Sequence, residues 1–257
     1  MEFFDCNCYF GFPAKPGKNP TVCRSVDDLG SELKRAGIGR ALVWHVAQRD
    51  TSPQRGNELL AEAIRDRSNL LGCWTMLPGQ TGEMPVDGLA EQMKANRIVA
   101  LRAFPAAHRY LLNELTMGPL LTEMVTRRIP LLYSAGSSQP GIGQRQAWED
   151  LYKVLDAYPE LTVIITDHGS WGSDRYFRPL LENCHSVYVD TTLYFQDGGI
   201  EDFVSMYGPG RMVYGSGLPE HYPGGMMLAI RHAQIPDEAK HAIASGNLTR
   251  IIEEVQL

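Results

Sequence analysis

Glu2-Phe3-Phe4-Asp5-Cys6-Asn7-Cys8-Tyr9-Phe10-Gly11 opens the chain, and its reading decides the rest. Phe3, Phe4, Cys6, Cys8 and Phe10 make the stretch apolar on at least one face, and Gly11-Phe12-Pro13 ends it, so the sequence reads as a strand. Strand alternation puts Asp5, Asn7 and Tyr9 on one side and Cys6, Cys8 and Phe10 on the other. Three polar residues on one face of a buried strand are costly unless that face lines a site.

Outward from this strand, apolar periodicity predicts helices over 26–36, 53–67, 85–96, 116–127, 144–158, 174–183 and 200–207. Between them, continuous apolar runs predict strands over 40–46, 69–76, 98–104, 129–134, 161–167, 186–191 and 211–216. Helical segments fill the chain beyond Gly224, broken at Pro236 and Gly246. Strands each followed by a helical stretch are repeated βα units. Their number and the length of 257 residues favour one closed (β/α)₈ TIM barrel over residues 1–257, with extra C-terminal helices. A doubly wound open sheet is the alternative. Against its nucleotide-binding form, no Gly-x-Gly-x-x-Gly follows the first strand and no Walker loop occurs.

Composition excludes several classes of function. A net charge of −6 gives no reason to expect nucleic acid or an anionic membrane as partner. No apolar run reaches transmembrane length, and Met1-Glu2-Phe3 lacks a basic signal-peptide start. The five cysteines are an odd number in apolar settings, read as reduced core residues of a cytoplasmic protein. Cys6-x-Cys8 is read as packing, because strand parity turns both away from Asn7 and Tyr9.

In a barrel, chemistry is built from the C-terminal strand ends and the loops after them. Those ends carry Asn7 and Tyr9, His45, Trp74, Arg102, Tyr133, Asp167 and His168, Asp190 and Thr191, then Ser216 with Glu220 and His221 beyond. The set is richer in polar and aromatic groups than the strand bodies, as a lined pocket requires.

These positions carry a resemblance to the amidohydrolase-related family. Asp5-Cys6-Asn7-Cys8-Tyr9 resembles its opening Asp-x-His-x-His, with the two metal-binding histidines falling on Asn7 and Tyr9. Ala100-Leu101-Arg102-Ala103-Phe104-Pro105 is similar to its fourth strand, and Tyr133-Ser134-Ala135-Gly136 to a fifth that normally ends His-x-x-Gly. Asp167-His168-Gly169 resembles the sixth, Gly215-Ser216-Gly217-Leu218-Pro219 the Gly-Ser-Asp-x-Pro of the eighth, and Gly246-Asn247-Leu248-Thr249-Arg250 the C-terminal helix. The resemblance implies a metallo-dependent-hydrolase-like barrel that hydrolyses amides or lactones or decarboxylates aromatic acids, and by family habit a homodimer. The departures are Asn7, Tyr9, Tyr133 and Gly217, which leave His168 of the usual ligand set. A zinc-like ion needs about three or four close N, O or S ligands, so no cofactor is expected.

The expected function is metal-independent hydrolysis, favouring lactones, of a small carboxylated substrate. Arg102 would bind the carboxylate through its planar fork. His168 would transfer protons with Asp167 beside it, and Tyr133 or Asn7 would meet the carbonyl oxygen. Tyr9, His45, Trp74, Trp171 and His221 would complete the substrate pocket. Each has a plainer reading: an internal ion pair for Arg102, a vestigial ligand for His168, filled metal volume for Tyr133 and Tyr9, core packing for the tryptophans. Either Trp44 or His45 could face the pocket, with His45 preferred as nearer the strand end. The first alternative is a non-catalytic protein that binds a small molecule or a partner. The second is a single-metal hydrolase or decarboxylase with an ion such as zinc held by His168, Asp5 and His45.

Overall fold

The computed structural model describes residues 1–14, 22–84, 86–135, 142–168 and 173–257, with the backbone alone for 142–145. Eight strands run in parallel pairs in chain order. They are β1 (Phe4–Phe10), β2 (Arg40–His45), β3 (Leu70–Thr75), β4 (Ile98–Ala103), β5 (Leu131–Ser134), β6 (Val163–Thr166), β7 (Val187–Asp190) and β8 (Met212–Val213). β8 is short, and the chain beyond it closes the seam against β1. Cys6 N–H donates to Tyr214 O at 2.9 Å, Gly217 N–H to Asn7 O at 2.8 Å, and Tyr9 N–H to Leu218 O at 2.9 Å. The result is the α/β barrel expected from the sequence.

The helices between strands are α1 (Val26–Ala36), α2 (Ala47–Asp50), α3 (Pro53–Ile64), α4 (Leu89–Ala95), α5 (Pro105–His108), α6 (Glu114–Arg127), α7 (Ile142–Ala157), α8 (Asp174–Asn183) and α9 (Gly199–Tyr207). After β8 come α10 (Gly224–His232), α11 (Asp237–His241) and α12 (Asn247–Glu253). Local chemistry sets the ends. Ser25 and Asp28 cap α1 reciprocally, and Gly37 stops it at φ 77°. The helix predicted over 85–96 begins only at Leu89, because Gly88 sits at φ 72°. The four-residue α2 and α5, at the ends of β2 and β4, are too short to show a periodicity in sequence.

Strand alternation divides the core into two layers. One joins Phe3, Cys8, Phe10, Val43 and Trp74 to the surrounding helices. The other fills the barrel with Phe4, Cys6, Trp44, Cys73, Leu132 and Ile164. Leu248 and Ile251 of α12 join this inner layer with Phe4 and Tyr188, covering the end where strands begin. The opposite end is left to polar side chains.

Candidate active site

The site begins with a bulge in β1. Asp5 pairs with Ala41 but Cys8 with Val43, so three steps on β1 match two on β2. A bulge breaks alternation, and here it corrects the expected common face of Asp5, Asn7 and Tyr9. Cys6 turns into the barrel while Cys8 faces the helices. Asp5 is pinned instead at the seam, its Oδ1 accepting 2.9 Å bonds from the N–H groups of Asn7 and Ser216.

The bulge delivers Asn7 to the barrel axis as the centre of a buried network. Its Nδ2 faces Asp167 Oδ1 at 2.9 Å, Asp190 Oδ2 at 3.1 Å and Thr192 Oγ1 at 3.2 Å. Its Oδ1 accepts from Arg102 Nη2 at 2.9 Å. The neighbours fix this orientation: a flipped amide would point oxygen at the Asp167 carboxylate and N–H at a guanidinium. Arg102 also donates through Nη1 to Ser134 Oγ at 3.0 Å, and the same nitrogen lies 3.7 Å from Asp167 Oδ2. Its guanidinium carbon sits 5.1 Å from the Trp44 ring centre and 5.8 Å from that of Phe104, within cation–π range.

Among the described residues of this network, solvent reaches one. The Asp167 side chain is 31% exposed, whereas Asn7, Arg102, Ser134, Thr166, Asp190 and Thr192 are all buried. Burial, reinforced by the charge of Asp167, pushes the Asp190 carboxyl up to about 8, against hydrogen bonds from Thr192 and Asn7. Asp190 is therefore largely protonated near neutrality. Burial likewise raises Asp5. Glycine at 215 makes room for this arrangement, because a Cβ there would stand 2.6 Å from Asp190 Oδ2.

His168 lies behind Asp190 rather than before it. Its Nε2 is 3.0 Å from the Asp190 carbonyl, so that nitrogen carries the hydrogen, and Nδ1 faces Ser173 Oγ at 3.4 Å. Phe177 and Tyr194 meet the ring edge-on, and the residue is 1% exposed. Its contacts among the described residues are thus with Ser173 and the Asp190 backbone.

Three further expected pocket residues face the helices. Tyr133 donates its hydroxyl to Ala147 O of α7 at 2.7 Å, and the residue of β5 that meets the site is Ser134. Trp74 donates its indole N–H to Asn57 O of α3 at 3.0 Å. His45 accepts from Ala47 N–H at 3.1 Å and packs edge-on against Phe10, while Trp44 takes the inward position. The reason is the same for all: each is one residue out of phase with the inward set of Trp44, Cys73 and Leu132. Tyr9 does reach the mouth, its ring tilted against Trp44 with centres 4.6 Å apart and its hydroxyl donating to Glu220 at 2.8 Å. His221 is half-buried on the loop after β8, and Trp171 lies outside the described residues. Sequence reasoning missed Ser134, Thr166 and Thr192 as network members. Once Leu132 is known to face inward, alternation places Ser134 there as well.

The family resemblance implies a metal, and the donor set tests it. Among the described residues no group of three or more His, Cys, Asp or Glu is placed to hold an ion. Asp167 and Asp190 converge on an amide NH₂ instead of a cation, and the protonated nitrogen of His168 addresses a carbonyl. His168, Asp5 and His45 do not converge. Gly217, at φ 68°, leaves no space for a side chain: a Cβ would meet Thr192 Cγ2 at 2.5 Å and His221 at 2.7 Å. The described residues do not fit a divalent ion.

A family model described as Amidohydrolase matches residues 9–252. The chain belongs to the amidohydrolase family. No curated protein sequence matches it. Similar solved structures include a dihydroxybenzoic acid decarboxylase from Polaromonas sp. JS666 with bound manganese, at TM-score 0.76 and 14% identity over 98% of this chain and 97% of that one. An uncharacterised TIM-barrel protein from Bordetella bronchiseptica has TM-score 0.75 and 17% identity over 99% of both chains. The 5-carboxyvanillate decarboxylase of Sphingomonas paucimobilis has TM-score 0.75 and 12% identity over 98% of this chain and 99% of that one. At these identities the likeness shows the shared barrel. Two of these three neighbours are named as decarboxylases, and the family is one of enzymes. Among the described residues no helix is long and apolar enough to cross a membrane.

Proposed function

We propose that the protein hydrolyses a small carboxylated lactone or ester without a metal, with Asp167 as general base. One observation carries this reading: Asp167 is the solvent-facing carboxylate of an otherwise buried network, held from behind by Asn7 at 2.9 Å. A carboxylate so fixed can take a proton from water as that water attacks the acyl carbon. A carbon–oxygen bond to water forms, the ring carbon–oxygen bond breaks, and Asp167 returns the proton to the leaving alkoxide. Lactones suit the site better than amides, because no metal-bound hydroxide is needed for the more reactive electrophile. Arg102 faces the substrate carboxylate. His168 is a positioning residue acting through Asp190.

A second reading, binding without turnover, is favoured by how fully Asn7 and Arg102 are engaged within the protein. One experiment separates the two. Chelator-treated protein is screened against small carboxylated lactones and esters, with Asp167→Asn as control. Turnover that survives chelation and falls about 10²-fold or more in the variant is expected. Turnover that appears only on adding zinc or manganese would overturn the proposal, and saturable binding without turnover would favour the second reading.

A further inference from the structure

A cleft of about 250 Å³ opens beside the barrel mouth, between α5 and α7. Ala106, Arg109 and Leu111 form its exposed rim, and Tyr133, Ala147 and Asp150 its buried floor. Ser134 belongs both to this cleft and to the Asn7 network. Arg102 Nη1 stands 3.0 Å from Ser134 Oγ and 3.7 Å from Asp167 Oδ2, so the cleft ends one side chain away from the solvent-facing carboxylate. Asp150 is 6% exposed, and no salt bridge reaches it among the described residues. Its Oδ1 accepts from Gln146 Nε2 at 2.8 Å, while its Oδ2 has no partner among the described residues. Burial raises this carboxyl, the Gln146 bond opposes the rise, and Lys153 and Glu149 of the same helix act in opposite senses. A buried carboxyl with one oxygen unmet is costly until a ligand meets it.

We propose that this cleft binds a short alkyl arm ending in a primary ammonium group, which donates to Asp150 Oδ2. The inference rests on the hydrolase reading for the arm's attachment to a substrate, and on the cleft alone for its charge and shape. The other polar groups at the floor are already engaged. Tyr133 gives its hydroxyl hydrogen to Ala147 O at 2.7 Å, and Ser134 Oγ meets Arg102 Nη1 and Thr166 Oγ1. What is left for a ligand is a carboxylate oxygen, which calls for a donor. A cationic donor is the stronger partner, and it also reverses the effect of burial on Asp150. Arg109 is the cation on the rim, and solvent around that exposed residue weakens its repulsion of a group seated at the floor. Pro105, Ala106, Leu111 and Ala147 supply apolar wall for the methylenes of the arm.

The test titrates the intact protein with n-butylammonium chloride at neutral pH, followed by ligand-observed NMR, with n-butanol and sodium butyrate as controls. Saturable binding of n-butylammonium in the millimolar range is expected, about tenfold weaker in Asp150→Asn. Ala106→Trp, which fills the cleft from an exposed position, should abolish it. No saturation in folded protein would overturn the site, as would equal binding of n-butanol or butyrate, or unchanged affinity in Asp150→Asn. On lactones that turn over, an ammonium-ended arm should lower KM about tenfold against a methyl-ended one, and Asp150→Asn should erase that difference. Lactone turnover by protein that does not bind n-butylammonium would overturn the ammonium site and leave hydrolysis standing. Asp150-dependent binding without lactone turnover would uphold the site and remove hydrolysis.

Discussion

Asn7 donates from its amide nitrogen to Asp167 across 2.9 Å, joining the first strand of the barrel to the sixth. The same amide accepts from Arg102, so one neutral side chain separates the carboxyl groups of Asp167 and Asp190 and holds a guanidinium. Replacing it by Asp would remove the donor and set a third carboxyl against Asp167 and Asp190. Asn7→Asp is expected to destabilise by about 3 kcal/mol, the scale for breaking a buried charged network. Protonation would restore a donor, so the deficit should shrink as pH falls. Urea titrations across acidic to neutral pH check this, and a deficit that grows in acid would refute it.

Asp190 makes stability depend on pH in a stated direction. Burial holds its carboxyl protonated up to about 8, against 3.8 for an ordinary aspartate. Between those values the folded protein keeps a proton that the unfolded chain releases, so stability falls as pH rises. The contribution is full below the lower value and lost as pH passes through the upper one. Asp5 acts in the same direction. Wild type should lose stability relative to Asp190→Asn by on the order of a few kcal/mol across the window. A difference in melting behaviour that stays flat with pH would contradict the assignment.

Gly217 stands where the resemblance places an acidic ligand, and the geometry predicts that restoring one fails. At φ 68° a non-glycine residue costs about 1–2 kcal/mol before any contact is counted. Thr192 and His221 already fill the Cβ position. Gly217→Asp should therefore lower thermal stability and bring no stoichiometric zinc or manganese. Elemental analysis and a melting curve decide it, and a metal-loaded, equally stable variant would show that the pocket can reopen.

The barrel was legible in the sequence because its signal is repeated. Apolar strand runs and capped helices recur along the whole chain, and one misplaced end, such as the late start of α4 after Gly88, leaves the pattern intact. The inward set was less legible, since parity shifts by one residue at a point composition does not mark. The bulge between Asp5 and Cys8 is invisible when Asp5, Cys6, Asn7, Cys8 and Tyr9 are read as simple alternation. In strands apolar on both faces, nothing local chose Trp44 over His45 or Ser134 over Tyr133. The choice is made by Arg102, Asn7 and the neighbouring strands, contacts of high sequence separation such as the 95 residues between Asn7 and Arg102.

Tyr133 and Asp167 give the most direct test of which side of the barrel is the working one. Tyr133 spends its hydroxyl on the Ala147 carbonyl at 2.7 Å, in the layer between β5 and α7. Tyr133→Phe keeps the ring and leaves that buried carbonyl without this donor, at a cost of about 1–3 kcal/mol. Its kcat on any substrate found should stay within about twofold of wild type, since the hydroxyl points away from the Asn7 network. Asp167→Asn should do the reverse, with little loss of stability at a residue 31% exposed and a large loss of kcat. Paired denaturation and steady-state kinetics read both effects. Loss of kcat in Tyr133→Phe with normal turnover in Asp167→Asn would move the chemistry to the cleft between α5 and α7, where Tyr133, Ser134 and Asp150 line a cavity of about 250 Å³.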